Sequence, residues 1–149
     1  MLLEALQTIS VAVIGLLTGS LLTEAMILVP YWRKMEPEEF LRLHGTMGPS
    51  LYRYFAPLTA AGTMIPIVTG VYSMVLAPSS VGLSAMVALL AGMMFCTYFV
   101  YFKGANESFE TRSIGVEAVA NELRRWAAWH WLRVAIGLIA FFLSIAVLK

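Results

Sequence analysis

Four apolar runs constrain this chain more than any other feature, because each is close to the ~20 residues that cross a bilayer as a helix. They cover residues of about 5–29, 50–77, 81–102 and 120–147. A hydrocarbon interior offers backbone N–H and C=O groups no water, so such runs are predicted as helices that satisfy their own hydrogen bonds. Composition agrees: of 149 residues, 60% are hydrophobic and 13% charged. A soluble domain is about half apolar and a quarter charged. The predicted fold is all-α, an integral membrane four-helix bundle in one domain, with the lipid bilayer as its first partner. The formal charge of +1 is uninformative about nucleic acid, but there is no basic tail and no nucleic-acid partner is expected; the lone Cys96 excludes an internal disulfide.

The first run has no basic segment ahead of it, Glu4 being its only preceding charge. It is also too long for the apolar core of a signal peptide, so it reads as an uncleaved span. Gly15 and Gly19 in GxxxG spacing predict close helix packing. Glu24 precedes the Tyr31–Trp32 interface pair by about eight residues, or ~12 Å of helix. A carboxylate at that depth costs about 2.5–3.5 kcal/mol on insertion scales, so it needs a partner or a task. The competing reading is a protonated acid hydrogen-bonded within the bundle.

Pro30, Tyr31 and Trp32 mark the exit of the first span, with Arg33 and Lys34 among the headgroups. Glu36-Pro37-Glu38-Glu39 then reads as a helix start and Gly48-Pro49 as a stop. This predicts a short interfacial helix over about residues 37–47, between the first and second spans. Phe40, Leu43, His44 and Met47 share its apolar face, which directs His44 towards the bundle as a core residue or a ligand. Pro57 and Pro66 lie inside the second span, where membrane helices tolerate them. Pro78-Ser79-Ser80 reads as a tight turn, Met93-Met94 as gap-filling core, and Tyr98, Phe99, Tyr101 and Phe102 as an interface belt. Lys103-Gly104-Ala105-Asn106-Glu107 reads as leaving the membrane, and Ser113 as the N-cap of the last helix.

Glu122, Trp126, His130, Arg133, Gly137 and Ala140 fall on one stripe of that last helix, with Trp129 beside it. A lipid-facing stripe has no use for an acid, an imidazole and a guanidinium, so this face is predicted to point inward. Of ten Lys and Arg residues, nine lie in or beside the first and third connections, with Lys149 at the other side. The positive-inside rule then predicts a cytoplasmic (inner) membrane protein with both termini outside the cytoplasm. It also gathers Glu24, His44, Asn106, Glu122, His130 and Arg133 at the cytoplasmic end, near one depth.

A first helix ending in Pro30, Asn106 just after the third helix, and Trp126-x3-His130-x2-Arg133 opening the fourth resemble the anthrone-oxygenase-like family of small four-helix membrane proteins. Named members of that family oxidise polycyclic phenolic substrates with molecular oxygen. The resemblance implies an oxygenase-like oxidoreductase acting on a hydrophobic phenolic or quinol-like small molecule at the cytoplasmic leaflet. Asn106, His130 and Arg133 carry the pattern; Glu24 and His44 lie outside it.

Read as chemistry, three arrangements are open. Glu24, His44 and His130, with Glu122 or Asn106 as a fourth ligand or supporting group, would suit a transition metal (Fe, Cu or Zn). Without a metal, Glu24 or a histidine would take a proton from the substrate, the carbanion would react with oxygen directly, and Arg133 would stabilise the anion. A haem between His44 and His130 ranks below both. Two readings from other classes remain: an accessory subunit of a larger membrane complex, and a small proton-coupled transporter using Glu24. A homo-oligomer is compatible with each.

Overall fold

A computed structural model describes residues 1–76 and 81–148. These residues form four long helices and, among them, no strand: α1 (Leu2–Trp32), α2 (Pro37–Leu76), α3 (Val81–Glu110) and α4 (Val116–Val147). All four are long and apolar enough to cross a membrane. Helix α1 packs against α2 and α4, and α3 packs against the same two, closing a ring. The four-helix membrane bundle is therefore as the sequence predicts. The turn expected at Pro78-Ser79-Ser80 lies outside the described residues.

Three boundaries differ from expectation. Gly48-Pro49 does not end a helix: the predicted interfacial helix is the opening segment of a continuous 40-residue α2 containing Pro49, Pro57 and Pro66. Proline disfavours a helix by clashing with the carbonyl four residues back and with the Cβ of the residue before it. At Pro49 those residues are Gly45 and Gly48, and Gly48 has no Cβ to clash. The 103–107 stretch likewise stays helical, continuing α3 to Glu110.

The third difference is at the start of α4, where the N-cap is Gly115 in extended conformation and not Ser113. Ser113 instead belongs to the end of α3. Its N–H donates to the Ser108 carbonyl, and Arg112 N–H donates to the Phe109 carbonyl. With Arg112 left-handed at φ 55°, this is the paired closure of a Schellman motif, in which Arg stands where Gly is usual.

Two helices contain a five-residue π turn, Glu24–Leu28 in α1 and Tyr98–Phe102 in α3. Each widens its helix by one residue, as Val29 N–H bonding to the Glu24 carbonyl and Lys103 N–H bonding to the Tyr98 carbonyl show. The inward stripe therefore steps by five at these points, from Glu24 to Val29 and from Thr97 to Phe102. In α1 the wide turn directly precedes Pro30, which cannot donate to the carbonyl behind it.

Packing is layered along the bundle. At the end formed by residues 33–36 and 111–115, called the basic end below, Trp32, Phe40, Phe102, Phe109 and Trp126 pack with Val119 and Leu123. A middle layer holds Leu17, Leu21, Met94 and Val134, and a third Ile14, Val87 and Ala140. Beyond these the interior turns polar, with Ser10 on Thr69 at 2.9 Å and Ser73 on Ser84 at 3.2 Å. Leu16, Met64, Val75 and Phe142 face outward, as expected where the surroundings are as apolar as the side chains. Of the two glycines in GxxxG spacing, Gly15 meets Phe141 closely, while Gly19 has nothing within 4 Å of an added Cβ. The tighter contact is at Gly137, where an added Cβ would lie 2.7 Å from Thr18 Oγ1 and 3.2 Å from Met94 Sδ. That absence of a side chain lets α4 approach α1 and α3 one turn beyond Arg133.

Candidate functional site

The inward stripe of α4 is as predicted. Trp126, His130, Arg133, Gly137 and Ala140 are buried, while Trp131 on the other side is 45% exposed. His130 is fully enclosed, at 0% exposure. Its Nε2–H donates to the backbone carbonyl of Leu21 at 2.9 Å. The same nitrogen lies 3.6 Å from Oε2 of Glu24, itself 6% exposed. Leu21 and Glu24 are three residues apart on α1, so one face of that helix presents both groups to the imidazole. In the neutral ring a donor at Nε2 leaves Nδ1 as an acceptor, and Nδ1 is buried with no hydrogen-bond partner.

Aromatic rings hold the imidazole in this plane. Trp126, one turn earlier on α4, stacks on it at 4.8 Å and 15°, and Phe102 meets it edge-on at 6.3 Å. The indole N–H of Trp126 donates to Asn106 Oδ1 at 2.8 Å. Asn106 thus supports the plate against which His130 lies, and is one layer removed from the imidazole. The guanidinium of Arg133 sits over the face of Phe102 at 4.7 Å, a cation–π contact. Its Nε is buried without a partner. Among the described residues no Arg133 nitrogen lies within 4 Å of the Glu24 carboxylate, whose contact is with the His130 ring.

The structure brings Glu24, His130 and Arg133 together and places the other predicted residues elsewhere. His44 is buried, but in a box of Trp32, Phe40 and Phe109 rings at 6.5, 5.5 and 5.4 Å. Glu122 is committed to other partners: Oε1 accepts from the Tyr101 hydroxyl at 2.6 Å, and Oε2 pairs with Arg125 at 3.2 Å. Among the described residues no three His, Cys, Asp or Glu side chains converge to hold a metal. Of the predicted metal set, Glu24 and His130 lie together, while His44 and Glu122 contact other partners. The rings of Trp32 and Trp126, 5.8 Å apart, neighbour His44 and His130 respectively.

Sequence reading missed several members of this site. Phe102, assigned to the interface belt, is 1% exposed and lies under Arg133. The belt description suits Phe99, which is exposed. Trp32, read as an interface anchor, is buried and links the two histidine environments through its contacts with His44 and Trp126. The Leu21 carbonyl carries no side-chain signal at all. Phe102 is turned inward by the π turn in the aromatic run of α3, which only the structure reveals.

The chain matches no protein-family model, no curated protein and no solved structure. The candidate site rests on its own geometry.

Proposed function

We propose that this chain is a membrane-embedded, oxygenase-like oxidoreductase that removes a proton from a hydrophobic phenolic or quinol-like substrate without a metal. The observation that carries the reading is the state of His130. One nitrogen is fixed by the Leu21 carbonyl and backed by the Glu24 carboxylate, while the other is a buried acceptor with no partner. A carboxylate behind an imidazole orients the ring and stabilises the imidazolium formed when the free nitrogen takes a proton. Arg133 supplies positive charge for the substrate anion. Dioxygen is the oxidant: a substrate CH2 becomes C=O, one oxygen atom enters the product and the other leaves as water. The resemblance carried by Pro30, Asn106, Trp126, His130 and Arg133 supports the same chemistry.

The test is turnover of an anthrone-type substrate under 18O2 by the purified protein in nanodiscs. One labelled oxygen is expected in the product and one in water, with loss of at least tenfold in rate for His130→Gln and Glu24→Gln. A chelator is expected to leave the rate unchanged. No turnover above buffer, or full activity in His130→Gln, would overturn the reading.

A second reading is favoured by one observation. Two cavities of the bundle are lined by residues other than Glu24, His130 and Arg133. A polar cluster packed this closely would also serve to pin α1 to α4 in an accessory subunit. In that case the purified protein is inactive alone, and it co-purifies in fixed stoichiometry with other membrane chains.

A further inference from the structure

Where the first connection meets the start of α4, the basic end contains a cavity of about 120 Å³. One water needs only ~10–15 Å³, so the space accepts a larger group. Its walls include Met35, Pro37, Val119 and Leu123, and the charged side chains that line it are Arg33 and Arg124. No carboxylate is among its lining residues; Glu36, between Met35 and Pro37, is not one of them. Among the described residues Arg33 takes part in no ion pair, and Arg124 donates to Asn121 Oδ1 at 3.1 Å. Two arginines from different elements thus line one space, and no acidic residue is among its lining residues.

Guanidinium is planar, always charged, and presents paired donors that match phosphate oxygens. The apolar walls are not incidental either, since Val119 and Leu123 belong to the packed aromatic layer beneath. A ligand here meets cations on its polar part and hydrocarbon on the remainder. Arg33 also directly follows the Trp32 at which α1 ends, the depth at which a bilayer presents its headgroups. We propose that this cavity binds a phosphate-bearing anion through Arg33 and Arg124. Two sources share that chemistry: the headgroup of an anionic phospholipid and a soluble phosphate ester.

The full chain is reconstituted in nanodiscs of phosphatidylcholine alone, in nanodiscs containing phosphatidylglycerol, and in phosphatidylcholine nanodiscs with inorganic phosphate. Thermal unfolding and native mass spectrometry are read in each. Wild type is expected to unfold at higher temperature in one added arm and to retain one bound anion there. Stabilisation by phosphatidylglycerol alone identifies a headgroup; stabilisation by phosphate identifies a soluble ester. Arg33→Gln/Arg124→Gln is expected to weaken binding at least tenfold and remove the shift. Both side chains are exposed, so the variant retains its unfolding temperature in pure phosphatidylcholine. Arg42→Gln, an exposed arginine outside the cavity, serves as the control for general surface charge. No stabilisation in either arm, retention of the shift by the double variant, or equal loss in Arg42→Gln would overturn the proposal.

Discussion

Glu24 and His130, 106 positions apart in the sequence, meet at 3.6 Å between α1 and α4. Both are nearly sealed from solvent, and the imidazole is anchored to the backbone one turn before the acid. Polar groups so placed are held by each other or not at all, because burial removes the water that would otherwise satisfy them.

The first prediction follows from that contact. In a double-mutant cycle of Glu24→Ala and His130→Ala, unfolding in detergent is expected to show a coupling energy of about 0.5–3 kcal/mol. Glu24→Ala paired with Trp131→Ala, on the exposed side of α4, provides the reference. Effects at Glu24 and His130 that simply add would mean the two residues do not support each other.

Asn106 and Trp126 make a second case. Asn106→Leu leaves the Trp126 indole N–H buried without an acceptor, an expected cost of about 1–3 kcal/mol. Trp126→Phe combined with Asn106→Leu removes donor and acceptor together, so the double variant should lose less than the two single losses summed. Chemical unfolding followed by near-ultraviolet circular dichroism checks this, and a strictly additive result counts against the hydrogen bond.

Glycine substitutions in the bundle should split by position. At Gly137 an added Cβ meets Thr18 Oγ1 at 2.7 Å, so Gly137→Ala is expected to destabilise by about 1–3 kcal/mol through overpacking. Thr18→Ala in the same chain should recover part of that loss. Gly19→Ala meets nothing within 4 Å, and is expected to be neutral or stabilising by about 0.5–1 kcal/mol, since alanine is the better helix former. Melting temperatures of the three variants decide it; equal losses at Gly137 and Gly19 would remove the packing argument.

Topology gives the last prediction. With Cys96 replaced by Ser, single cysteines at Glu38 and Glu107 are expected to react with an impermeant reagent from one side of the membrane. A cysteine at Glu4 should react from the other. By the positive-inside rule the side carrying Glu38 and Glu107 is expected to be the cytoplasmic one. Labelling of Glu4 and Glu38 from the same face would break the four-span arrangement.

Hydropathy along the chain was enough to determine four helices, and helical spacing was enough to place Trp126, His130 and Arg133 inward with Trp131 outward. Both rest on local rules: a bilayer demands internally bonded backbone, and residues one turn apart share a face. Depth counted from the interface residues also placed Glu24 near His130. Which polar groups touch was decided elsewhere. His44 shares their end of the bundle, yet Trp32 and Trp126 stand between it and His130, and only side-chain packing between helices could place those rings. Glu122 lies on the right stripe but is drawn to Tyr101 by contact with α3. The helix through Gly48-Pro49 depended on glycines removing the clash that makes proline a stop. The two π turns shift the inward stripe by one residue midway along α1 and α3, so a strict 3.6-residue period misplaces the residues beyond each turn. Those shifts set Val29, Trp32 and Phe102 inside, and with them the walls of the site.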